Sequence, residues 1–187
     1  MNLLEFYNSF EREDVPNALI KLVGFENDIS SYENFAEGFG IGTDYKSGLE
    51  SWSENPEFIK KLYPFGQANG SGSFYCIWDY NDELNLDQMP IVVFGDEGGV
   101  HIIAENILQL LQLLTYDTEI SVDFDEAYFY KDKDEYEASE DHKEFLKFVK
   151  TDFNIDLVSE TESIIKNAQN KFKEKFDKWF GQYYDLE

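Results

Sequence analysis

The sequence predicts a mixed architecture of strands and helices, and three observations predict it. Residues 73–78, 90–94 and 100–103 are short runs of β-type and apolar residues set off by polar and glycine-containing turns. Ile107, Leu110, Leu111 and Leu114 follow at i, i+3, i+4 and i+7, the spacing of one buried helical stripe. Seventeen Phe, twelve Tyr and three Trp supply more aromatic surface than a disordered acidic chain carries, so a packed core is expected. A length of 187 residues suits a single domain.

Each element can be argued in chain order. Residues 2–24 read as weakly helical, with a break near Pro16. Residues 32–41 are aromatic and punctuated by Gly38 and Gly40, which predicts a strand with a close backbone approach. Residues 46–62 read as one short helix, with Pro56 near a turn start. Residues 62–78 contain no charged side chain. Their first part, 64–72, reads as a loop from its Gly, Asn and Ser content, and 73–78 as a strand. Residues 90–94 and 100–103 are two further strands joined by the Gly95-Asp96-Glu97-Gly98-Gly99 hairpin. Being almost wholly apolar, they are expected to be central and covered on both faces. A helix is predicted over 104–114. Near the C-terminus, Phe145, Phe148, Val149 and Phe153 share one helical face. Ile165, Ala168, Phe172, Phe176 and Trp179 share another, read as core or as a self-association face.

The charge excludes several functions. Thirty-nine acids against fifteen bases leave a formal net charge of −24. A protein that grips nucleic-acid phosphates or anionic membrane needs a basic face, so neither partner is expected. A cationic partner is favoured. The excess is uneven: residues 1–141 hold 30 acids and 7 bases, a net of −23, and residues 142–187 hold 9 acids and 8 bases, a net of −1. An acidic body, 1–141, therefore precedes a nearly neutral helical extension, 142–187. Residues 117–141 are the densest part, with eleven acids against Lys131 and Lys133 and with aromatics interleaved.

The usual chemical motifs fail. The 66–72 glycine run has no lysine and leads into a strand, so it is neither a phosphate loop nor a dinucleotide fingerprint. A calcium loop begun at Asp132 would need Gly and Glu where Glu137 and Lys143 stand. His101 and His142 lack partners at metal-ligand spacing. A Cys76–His101 nucleophile pair would need the two side chains to meet, and a thiolate is poorly stabilised in an apolar strand. So many carboxylates offer pairs that no pair carries a signal. No catalytic residue, metal site or cofactor is expected. Cys76 is the sole cysteine, so no intrachain disulfide forms, which fits a reducing compartment. The N-terminus does not read as a signal peptide and no stretch reads as a membrane span, so a cytoplasmic protein is expected.

A family resemblance lies in residues 62–114. Pro64-Phe65-Gly66, then Gly70-Ser71-Gly72-Ser73-Phe74-Tyr75-Cys76-Ile77-Trp78-Asp79, then Pro90-Ile91-Val92-Val93-Phe94-Gly95-Asp96-Glu97-Gly98-Gly99, then Ala104-Glu105-Asn106 leading into Leu110-Leu111, is similar to the SUKH superfamily. That superfamily includes fungal regulators of cell-wall glucan synthesis and bacterial immunity proteins of polymorphic toxin systems. Its usual Asn-Gly-Gly after the first helix is absent here, and the stretch after residue 117 is not matched. The resemblance implies one α+β domain over 1–187, with a twisted, mostly antiparallel central sheet flanked by helices. It implies no catalysis, and makes Gly66, Gly72, Trp78, Gly95, Gly99 and Ala104 fold-keeping positions.

It further implies that the chain binds and neutralises a cognate toxin. The alternative is a regulator or scaffold that binds cellular enzymes. A nuclease toxin holds a polyanion in a basic cleft, which an acidic inhibitor complements. Asp123, Asp125, Glu126, Tyr128, Tyr130, Asp132, Asp134 and Glu135 mix carboxylates with aromatic anchors, as a partner-binding surface needs. The competing reading is that the acids only keep the domain soluble while the aromatics pack inside.

Overall fold

The computed structural model describes residues 2–10, 14–28, 34–82 and 85–184. Its elements are α1 (Leu3–Ser9), α2 (Asn17–Asp28), β1 (Gly40–Ile41), α3 (Lys46–Glu50), α4 (Pro56–Ile59), β2 (Leu62–Gln67), β3 (Phe74–Trp78), β4 (Ile91–Phe94), β5 (Val100–Ala104), α5 (Ile107–Leu114), β6 (Ile120–Val122), β7 (Ala127–Phe129), α6 (His142–Phe153) and α7 (Glu162–Phe180). Strands β1 to β5 form one antiparallel sheet in sequential order, so β4 is internal as expected but β5 is an edge strand rather than a central one, and β6 pairs with β7 in a separate hairpin. The fold is α+β, as predicted.

The sheet is the middle of three layers. Tyr75, Ile77, Ile91, Val93 and Ile103 face a cluster built with Phe6 of α1, Leu19 and Leu22 of α2, Leu110 and Leu111 of α5, and Phe145 and Val149 of α6. Phe74, Cys76, Trp78, Val92, Phe94 and Ile102 face Leu49 of α3, Phe58 of α4, and Ala168, Phe172, Phe176 and Phe180 of α7. Every residue of β3 and β4 is buried, because helices cover both faces, and this is why these strands lack polar alternation. Burying each large apolar side chain contributes about 1.5–3 kcal/mol. Helix α7 lies along β5 and supplies most of its layer, with Phe176 edge-on to Trp78 at 4.9 Å between ring centres.

Several elements differ from expectation. The 32–41 strand shrinks to Gly40–Ile41; residues 34–38 are bends and turns, and residues 32 and 33 lie outside the described residues. The 46–62 helix is two short helices, because Asn55 caps a new start by accepting from the Glu57 amide at 2.9 Å. Residues 64–67 belong to β2 rather than to a loop. The register shifts between Pro64 and Gly66, and this bulge hides the strand from a simple pattern. Ala104 closes β5, so α5 starts at Ile107 behind the Asn106 cap. The acid-dense segment folds into the β6–β7 hairpin.

Candidate partner-binding surface

The hairpin presents its side chains by simple alternation. Ala127 and Phe129 point inward and join the core, while Tyr128 and Tyr130 point outward at 39% and 68% exposure. Phe124, in the turn, is 78% exposed. Asp123, Asp125, Glu126, Asp132, Asp134 and Glu135 are all exposed. The expected mixture of carboxylates and aromatic rings is therefore on the surface, and these tyrosines do not pack inside.

The hairpin is docked on the main sheet through its backbone. The Asp123 amide donates to the Glu126 carbonyl at 2.9 Å and closes the turn. His101 Nε2, on β5, donates to the Asp123 carbonyl at 2.7 Å. Gly99 has φ +80°, and a Cβ there would run into the Asp123 carbonyl, so only glycine permits this approach. Phe124 lies over Gly98, whose missing Cβ would sit 2.5 Å from the ring. Burial lowers the His101 pKa, and the Asp123 carbonyl offsets this only in part.

A buried carboxylate anchors the segment that follows. Asp117, at φ +56°, is 1% exposed. Its Oδ2 accepts from the Tyr136 hydroxyl at 2.6 Å and the Ser139 amide at 3.0 Å. Its Oδ1 accepts from the Ser139 hydroxyl at 2.7 Å and the Glu37 amide at 3.1 Å. Burial alone would raise its pKa, but the Tyr136 and Ser139 bonds outweigh it and hold the carboxyl below its ordinary value. Lys131 lies 3.6 Å from the ring centre of Tyr136, a cation–π contact on the same loop.

The eight candidate residues do not form one patch. Tyr130, Asp132 and Glu135 line a depression of about 450 Å³ with Glu37, Glu119 and Glu137, and among the described residues Lys131 is the one cation lining it. Asp125, Glu126 and Tyr128 line a different depression of about 640 Å³, together with Glu162, Lys166 and Lys173 of α7. Asp123 and Asp134 line neither. The strongly acidic half is thus the first. Glu37 comes from a distant segment and nothing in the sequence marks it; burial, then Glu119 and Asp117, push its pKa up.

Other chemistries can be placed as well. Register puts Cys76 with Val92 and Ile102, and His101 with Val93, on opposite faces of the sheet. The two side chains therefore do not meet, and burial pushes the Cys76 thiol well above its ordinary pKa. Asp132 Oδ1 accepts from the Asp134 amide at 2.9 Å in a local turn. Among the described residues no group of three or more His, Cys, Asp or Glu side chains is placed to hold a metal ion, and no helix is long and apolar enough to cross a membrane. Comparison with family models, curated proteins and solved structures finds no match.

Proposed function

We propose that this chain is a non-catalytic, cytoplasmic binding protein for a basic protein partner, and that the partner is a cognate toxin which it neutralises. The observation that carries this reading is the outward alternation of the hairpin. Tyr128 and Tyr130 stand in solvent although an inward register could have buried them, and they stand among carboxylates. Large exposed rings beside acids supply affinity and steering together: the rings desolvate on contact, and the acids draw in a cation-rich surface. The net charge of −24 acts in the same direction at longer range. The toxin-neutralising part of the reading comes from the SUKH-like residues 62–114, and a nuclease is the toxin class whose basic cleft this charge suits best.

The test is co-expression with the product of the neighbouring gene. A one-to-one complex is expected, with an association rate that falls about ten-fold or more between ~0.02 and ~0.5 M salt. A neighbouring product without toxicity, or association indifferent to salt, overturns the proposal.

A further inference from the structure

At one end of the sheet, several separate parts of the chain line a cleft of about 400 Å³. Trp52, just after α3, and Tyr184, just after α7, form one wall, with ring centres 5.0 Å apart. Phe124 projects from the β6–β7 turn onto Gly98. Between them the β4–β5 hairpin contributes Asp96 and Glu97. No lysine or arginine lines the cleft among the described residues.

These groups are held in place before any ligand arrives. Trp52 also packs edge-on against Phe94 at 5.6 Å. Asp96 Oδ1 accepts from the Ser71 hydroxyl at 2.8 Å and the Ser73 hydroxyl at 2.9 Å. Burial works against the charged carboxylate, but these bonds prevail and keep its pKa below the ordinary value. Phe124 remains 78% exposed on its glycine seat, an apolar ring with no core to serve.

Aromatic faces around a fixed carboxylate, with no competing cation, select a flat, weakly hydrated cation. A guanidinium stacks on rings and donates paired hydrogen bonds to carboxylates, whereas an ammonium is compact and strongly hydrated. A phosphate or carboxylate ligand would be repelled by both Asp96 and Glu97. We infer that this cleft takes an arginine side chain projecting from the basic protein partner, stacked against Trp52 and Phe124 and paired with Asp96 and Glu97. The inference rests on the reading of the chain as a binder of a basic protein. It adds a site lined by none of the eight candidate residues.

The probe is N-acetyl-arginine N-methylamide, titrated into the full chain and followed by the amide signals of Gly95 and Gly98 and the Trp52 indole signal. Saturable shifts confined to these groups are expected. The neutral citrulline analogue should bind at least ten-fold more weakly, and the lysine analogue at least three-fold more weakly. E97Q and F124A change exposed side chains, and each should weaken the arginine probe at least five-fold while leaving signals elsewhere unmoved. Equal binding of the citrulline analogue, or shifts centred on Glu119 and Glu137, overturns the inference. A basic partner that binds E97Q and F124A as tightly as wild type also overturns it and leaves the function proposal intact. A cleft that takes the arginine probe while the neighbouring product fails to bind leaves the site standing and the function proposal lost.

Discussion

The Tyr136 hydroxyl donates to Asp117 Oδ2 at 2.6 Å, and through this contact one buried carboxylate sets the position of the acidic loop beyond β7. Four donors converge on Asp117, from Glu37, Tyr136 and, twice, Ser139. These bonds tie the loop to the body of the fold at Tyr136 and Ser139.

Replacing Asp117 should therefore be expensive and pH-dependent. Asp117→Ala strands buried donors and is expected to cost about 3 kcal/mol at neutral pH, read from the denaturation midpoint. The carboxyl's pKa is lowered in the fold. Its contribution is then fully present above the unfolded value of about 3.9 and is lost as pH falls through the folded value. Asp117→Asn should lower stability at pH 7 and flatten the acid limb below pH ~4 relative to wild type. An unchanged acid limb would show that the network does not couple to folding.

Gly99→Ala should separate the hairpin from the sheet. The substitution must adopt φ +80° and place a methyl against the Asp123 carbonyl. A loss of about 2 kcal/mol or more is expected. Faster amide exchange should appear at Asp123, together with loss of the His101 contact seen as a shift of its imidazole signals.

The alternation along β7 predicts opposite outcomes for neighbouring residues. Phe129→Ala removes a core side chain and should cost about 3 kcal/mol of stability. Tyr128→Ala and Tyr130→Ala change outward rings and should leave stability within about 0.5 kcal/mol. Under the proposed function, each of these tyrosine variants weakens the basic partner ten-fold or more, measured by titration calorimetry.

Helix α7 should behave as part of the core. Phe176, 2% exposed, packs on Trp78 and Phe180. Phe176→Ala is expected to cost about 3–5 kcal/mol, with no change in oligomeric state by light scattering. A shift to lower mass on substitution would instead show the helix serving self-association.

The elements that sequence patterns revealed are those long enough to show a period. The α5 stripe of Ile107, Leu110, Leu111 and Leu114 is buried as read, and β3 and β4 were recognisable because burial on both faces left only apolar residues. Strands β6 and β7, three residues each, are too short for alternation to stand out in an acid-rich stretch. Strand β2 was concealed by Pro64 and its bulge.

By itself the sequence determined the alternation of apolar runs and stripes, the absence of charge from 62–78, and the confinement of the acidic excess to 1–141. These are local properties, set by which side chains can leave water together. Only tertiary structure decided that Asp125 and Glu126 face lysines of α7 while Asp132 and Glu135 join Glu37 and Glu119. It alone seated Phe124 on Gly98 and brought Trp52, Asp96 and Tyr184 to one cleft. The reason is that these partners lie far apart along the chain. Their meeting depends on how two helical layers and a hairpin close on the sheet, and no spacing in the sequence encodes that distance.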